Sequence, residues 1–276
     1  MAQPDPPSET PRFAIIPTAD ELAQLNRELR FFPTDNPSPE TLSVEQLAAF
    51  NRDGCLFPLE VFTTAEITEH REYFDRLLAE TLAAGGDPYS ISSAHLRYEP
   101  VRDLLTDARI VGYVRDLLGP DVVGWGSHYF CKLPGDAKQV SWHQDASYWP
   151  LTPSKTVTVW LAIDDADEEN ACMKVIPGTH RRGLIEYQTS EQDERNVLNQ
   201  TVADPTRFGA PRSVILKAGQ VSIHSDLLLH GSEANRSSRR RCGLTLRYCA
   251  ADVVAHLGWS AKGVLVAGSA PHHWPS

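Results

Sequence analysis

The chain has 276 residues, 41% of them hydrophobic and 22% charged, a balance that allows a sizeable buried core. Its net charge of −10 excludes the broad basic surface that nucleic acid requires. No apolar run approaches the ~18–20 residues of a membrane span, so neither nucleic acid nor a membrane is an expected partner. Five scattered cysteines (Cys55, Cys131, Cys172, Cys242 and Cys249) form no Cys-x-x-Cys pair, as expected of reduced thiols in a cytoplasmic protein. The first twenty residues carry no basic, apolar-cored signal segment.

In chain order, residues 1–12 are rich in Pro, Ser and Glu and are expected to be disordered. Residues 13–120 read as a helical region packing on a core. Thr18 and Glu21 have capping-box spacing, with Leu22, Leu25 and Leu29 following at helical intervals. Ser43 and Gln46 repeat the signal. Longer amphipathic runs cover about Thr64–Ala84 and Val101–Leu118, the second stopping at Gly119-Pro120.

From 121 to 276 the texture becomes short β-rich runs: Val122–Leu133, Gln139–His143, Thr156–Ile163, Met173–Ile176, Ser213–Leu216, Val221–His224 and Leu244–Tyr248. Turn signals separate them, which predicts a sandwich or barrel. The polar stretch 186–211 is too long for an ordinary connection and reads as a binding loop or lid.

One constellation carries chemistry. In Trp142-His143-Gln144-Asp145, positions i and i+2 of a strand share a face, so His143 and Asp145 can both turn inward. Far downstream, Leu229-His230-Gly231-Ser232 offers a second imidazole. Two histidines and a carboxylate on one face of Fe(II) leave three positions open, enough for a bidentate 2-oxo acid and O2. The same three groups could hold Zn²⁺ with an open water site, as in a hydrolase or lyase on a cupin-like barrel. Arg241, eleven residues after His230, separates the two readings. Its planar fork suits a carboxylate clamp beside the metal, for which a hydrolase has no use.

Four ordered blocks resemble the phytanoyl-CoA dioxygenase superfamily of Fe(II)/2-oxoglutarate enzymes, particularly its bacterial small-molecule branch. They are Val140–Trp149 (VSWHQDASYW), Val159–Asp164 (VWLAID), Asn170–His180 (NACMKVIPGTH) and the His230-Gly-Ser element ending at Arg241. The likeness runs from about residue 45 to the C-terminus, where Gly263–Gly268 and the His272-His273-Trp274 tail also match. It implies a mainly β double-stranded β-helix (jelly-roll, cupin-like) core with an N-terminal helical region. It further implies His143, Asp145 and His230 as iron ligands and Arg241 as the partner of 2-oxoglutarate. Trp160, Thr158, Ser232, His128 and Lys132 fall at positions near the cosubstrate in relatives. Related halogenases replace the carboxylate ligand with a small residue; Asp145 therefore points to hydroxylation.

Substrate contacts are expected from Arg247, on the same strand face as Arg241, from His95, Arg97 and Tyr98, and from Tyr148 and Trp149 beside the metal strand. A second inward arginine suits an anionic group, and the aromatics could cage a cationic amine. His224, six residues before His230, is not assigned as a ligand. The favoured substrate is a small polar metabolite such as an amino acid, betaine-like amine or aminoalkylphosphonate. An acyl-CoA or natural-product substrate and a non-catalytic module remain open at this point.

Overall fold

The computed structural model describes residues 12–14, 16–191, 195–269 and 273–274. Most of the expected disordered segment, and His272, lie outside the described residues.

Three of the helices begin at capping boxes. Thr18, Ser43 and Thr63 each accept a hydrogen bond from the backbone of Glu21, Gln46 and Glu66, whose side chains reach back. Helix α1 (Ala19–Ala23) nevertheless stops after five residues, short of Leu25 and Leu29. Tertiary bonds outcompete it: Arg27 donates to the carbonyls of Ala146 and Trp149, both at 2.9 Å, and the Glu28 N–H donates to Thr152 Oγ1. Helix α2 (Val44–Asp53) ends at Gly54, whose φ of +80° and contact with the His180 ring exclude a side chain. Helix α3 spans Thr64–Ala83. The run expected as one helix is two, α4 (Glu99–Thr106) and α5 (Ala108–Leu118), because Asp107 turns extended and caps Arg109 N.

The strands are β1 (Cys55–Glu60), β2 (Val122–Lys132), β3 (Val140–His143), β4 (Leu151–Thr152), β5 (Thr156–Ala162), β6 (Lys174–Val175), β7 (Gln188–Thr189), β8 (Gln200–Thr201), β9 (Arg212–Ser213), β10 (Gln220–Ser225), β11 (His230–Ser232), β12 (Arg241–Ala250), β13 (Val254–Ala255) and β14 (Val264–Ala267). A six-stranded sheet runs β1-β10-β5-β12-β2-β14, and a four-stranded one runs β3-β11-β6-β9. All the pairings are antiparallel, the arrangement of a double-stranded β-helix. Strand β1 comes from the stretch read as helical and supplies an edge of the larger sheet.

Period-two alternation divides the larger sheet into two faces. Cys242, Leu244, Leu246 and Tyr248 of β12 pack outward with Phe74, Leu77, Leu105 and Val114 of the helices. Arg241, Gly243, Thr245 and Arg247 therefore face the smaller sheet. Strand β2 carries a bulge: Arg247 pairs with Gly126 and Tyr248 with Gly124, leaving Trp125 as the extra residue. The bulge places its indole in an inner aromatic cluster with Tyr148, Trp149 and Trp259.

The described residues of the stretch 186–211 are tied to the core. Strands β7 and β8 form a ribbon, and Gln200 holds the metal strand, its carbonyl accepting from Ser141 Oγ and its Oε1 from Ser147 Oγ at 2.6 Å. Asn196 Oδ1 also accepts the Ser141 N–H at 2.9 Å. No helix among the described residues is long and apolar enough to cross a membrane. The five cysteines are buried and unbridged.

Candidate metal and cosubstrate site

His143 and His230 are far apart in sequence but are direct cross-strand partners in the β3–β11 ladder. Each imidazole is set by its own strand: His143 Nδ1 donates to Ser141 O at 2.7 Å, and His230 Nδ1 to Leu228 O at 2.9 Å. Both rings therefore present a lone pair on Nε2, the form a metal requires. Strand β3 ends at His143, and Asp145 opens a 3₁₀ turn. Gln144 between them is still extended, so the expected i, i+2 relation holds. Its side chain faces the opposite way and ties down Gly183 O, Leu227 O and Ile185 N.

The donor atoms of His143, Asp145 and His230 lie within 4.8 Å of one another, and all three residues are buried. Burial alone would raise the Asp145 carboxyl. The imidazoles of His143 and His224, each with Nε2 at 3.7 Å, and the nearby Arg247 hold it well below the usual range. Thr158 Oγ1 donates to Asp145 Oδ2 at 2.7 Å. Burial, and then the neighbouring His143 and His224, push His230 well below an ordinary histidine. An ionised carboxylate with neutral imidazoles is the donor set for a divalent cation, and the residues present fit Fe(II).

Arg241 is one of the most deeply buried side chains. Its Nη2 donates to Ser232 Oγ at 3.0 Å and its Nε to Ala171 O at 3.1 Å. Ala171 has φ +64°, a rare conformation for a residue with a side chain. Asn170 helps hold the bend, donating to Asp165 O and Arg240 O and accepting the Asp167 N–H. Trp160 lies with its ring 5.6 Å from the Arg241 guanidinium and covers Gly243. No carboxylate is paired with Arg241 among the described residues.

A cavity joins these groups, lined by the triad, Thr158, Trp160, Ser232, Arg241 and Arg247. Phe130, Val140, Met173, His224 and Thr245 also line it, none of them assigned from sequence. Inward strand parity would have singled out Phe130 and Thr245. His224, left unassigned, stands beside Asp145 with both ring nitrogens buried and without a hydrogen-bond partner. The other expected residues stand further off. Lys132 donates to the carbonyls of Lys138 and Glu233, and burial and Arg241 depress it to about 6. His128 is half-buried against Phe130. Tyr148 packs edge-on to His143, and Trp149 stands under Arg247.

The 93–98 segment stays outside the cavity because it pairs along β2: Ser93 N bonds Ser127 O, and Tyr129 N bonds Ile91 O. His95 is locked between Ser127 Oγ and Lys262 O. Arg97 is exposed and holds Ser92 O, while Tyr98 caps α4 among the helices.

A jelly roll with two histidines and a carboxylate converging inside it, and an unpaired arginine beside them, defines the class of non-haem iron oxygenases. The model for the family described as "Phytanoyl-CoA dioxygenase (PhyH)" matches residues 50–243. The chain belongs to the phytanoyl-CoA dioxygenase family and is a 2-oxoglutarate-dependent non-haem iron dioxygenase. It is 29% identical to a "Probable alpha-ketoglutarate-dependent hypophosphite dioxygenase" of Stutzerimonas stutzeri, over 63% of this chain and 61% of that one. An "Ectoine dioxygenase" of Streptomyces coelicolor is 27% identical, over 73% and 75%. The solved structure of EctD from S. alaskensis with 2-oxoglutarate and 5-hydroxyectoine superimposes with a TM-score of 0.68 at 23% identity, covering 82% and 83%.

Proposed function

We propose that this dioxygenase hydroxylates an unactivated C–H of a small polar metabolite in the cytoplasm, with His143, Asp145 and His230 holding Fe(II) and Arg241 holding 2-oxoglutarate. Bound iron, with 2-oxoglutarate and O2, supplies the oxidising power and releases succinate and CO2. Two imidazoles of fixed tautomer and one carboxylate leave half of an octahedron for cosubstrate and oxygen. Arg241, buried without an anion of its own, is the observation that carries the 2-oxoglutarate reading. Ser232 and Ala171 O orient its fork, and Trp160 walls off the side next to Gly243. Asp145 fills the carboxylate position, which leaves no vacancy for halide and favours hydroxylation.

The cavity that holds the triad and Arg241 must take both cosubstrate and substrate. Its polar lining, with Ser232, Arg241 and Arg247 beside the triad, supports a small polar metabolite. The named relatives act on hypophosphite and ectoine, both small and polar, which agrees with this reading. The test is release of succinate and CO2 from 2-oxoglutarate by the Fe(II)-loaded protein in a screen of small acids and amines. Turnover above background is expected, abolished in His143→Ala. Undiminished turnover in that variant would sink the assignment.

A further inference from the structure

Arg247 is the feature that the metal and cosubstrate reading leaves unexplained. It sits on β12 six residues from Arg241, on the same inward face, and lines the same cavity. Its Nε is buried with no hydrogen-bond partner, and no carboxylate lies within ion-pair distance among the described residues. Arg247 is half-buried, and a guanidinium whose Nε lacks both water and a partner costs free energy unless an anion meets it. What surrounds it is aromatic. The guanidinium carbon lies 5.2 Å from the Trp149 ring and 6.0 Å from the Trp125 ring. Trp125 is there only because the β2 bulge turns it inward. Cation–π contact fixes the planar fork without consuming its donors.

The second arginine is not another hand on the cosubstrate. Six residues of strand place the two Cα atoms roughly 20 Å apart. Arg241 pairs across the ladder with Lys132 and bonds Ser232, whereas Arg247 pairs with Thr158, the residue that bonds Asp145. The two arginines therefore enter the cavity from well-separated positions on β12, Arg247 on the Asp145 side and Arg241 on the Ser232 side. Charge points the same way. A divalent metal, one carboxylate ligand, a doubly charged cosubstrate and Arg241 sum to zero. Among the cavity-lining residues, the positive charge of Arg247 is left over.

Resting on the proposed dioxygenase reading, we infer that Arg247, braced by Trp125 and Trp149, is the anchor for a singly charged oxyanion on the substrate, a carboxylate or a phosphorus oxyacid. Because Arg247 pairs across the ladder with Thr158, which bonds Asp145, the oxidised carbon lies within a few bonds of that anionic head. Arg247 thus selects short acids over neutral or purely cationic amines.

The experiment is a binding titration that needs no turnover. Mn(II)-loaded protein saturated with 2-oxoglutarate is titrated with acetate, methylphosphonate or neutral acetamide, read by calorimetry and by the emission of the flanking tryptophans. At least one oxyanion should bind without displacing 2-oxoglutarate, and acetamide should not. The stronger of the two identifies a carboxylate or a phosphorus head. Arg247→Met should weaken that oxyanion at least tenfold while changing 2-oxoglutarate affinity less than twofold, and Arg247→Lys should recover part of the loss. An oxyanion that competes with 2-oxoglutarate in the unmodified protein, or binds Arg247→Met equally well, overturns the inference whatever the variants' stability. Failure of 2-oxoglutarate itself to bind would instead remove the dioxygenase reading on which this one rests.

Discussion

Asp145 is held by more than its own chain. A buried carboxylate must satisfy several lone pairs, and one oxygen takes the hydroxyl of Thr158 at 2.7 Å. Thr158→Val keeps the shape and removes the donor. Partners of this kind set ligand orientation and basicity, and their loss typically costs about 10–100-fold in metal affinity. Thr158→Val should therefore bind Mn(II) at least tenfold more weakly in competition with a chelator, with an unchanged circular dichroism spectrum. Equal affinity would show that Asp145 is placed by the backbone alone. At this scale the sequence was readable where chemistry is local. The His-x-Asp spacing, His230 and Arg241 could be named from residue type and order. The Ala171 carbonyl could not, because its role depends on a backbone turn that no alanine advertises.

At the scale of elements, the inner face of β12 is shaped by what it lacks. A Cβ on Gly243 would stand 2.0 Å from Trp160 Cζ2 and 2.2 Å from Cε2. The indole can lie over β12, towards Arg241, only because that position is empty. Gly243→Ala must displace either the ring or the strand, an overpacking that costs about 1–3 kcal/mol. The melting temperature should fall by roughly 2–4 °C per kcal/mol in a chain of this size. Affinity for 2-oxoglutarate should fall with it. Trp160→Phe in the same chain should restore part of the stability, and a double variant no more stable than Gly243→Ala would refute the packing account. Most elements were legible from capping boxes, turn residues and apolar runs. The exceptions share one cause. Helix α1 ends early because Arg27 and Glu28 bond the core, and β1 is a strand because β10 is there to pair with it.

At the scale of the whole molecule, five histidines among the described residues are depressed by loss of solvent, His95, His180 and His230 buried and His70 and His128 half-buried. Burial first, and then neighbouring charges, takes His95 and His180 to about 4 and His128 to about 3, and puts His230 well below normal. In the unfolded chain each titrates near 6.5. Between those values the unfolded state binds protons that the folded state refuses. This stability is thus present above about pH 6.5 and is lost on acidification. Each group contributes up to about 1.4 kcal/mol per pH unit. Asp226, raised to about 7 by burial, acts in the opposite sense but is a single group. The urea midpoint of the metal-free protein should therefore drop between pH 7 and pH 5. A flat or rising midpoint would contradict it.

The sequence by itself determined the chemistry: which donors could bind a metal, which arginine could hold a dicarboxylate, and a β-rich core behind a helical flank. Residue type, local spacing and strand parity carry that information, and all three are properties of short stretches of chain. Only the tertiary structure decided which groups meet. Cross-strand register joins His143 to His230. Pairing along β2 keeps His95, Arg97 and Tyr98 away from the cavity, and a single bulge turns Trp125 towards Arg247. Register and bulges are set by contacts between segments distant in sequence, and for that reason the candidate ligands and Arg247 could be named from the sequence, whereas the aromatic brace of Arg247 by Trp125 and Trp149 appeared only with the fold.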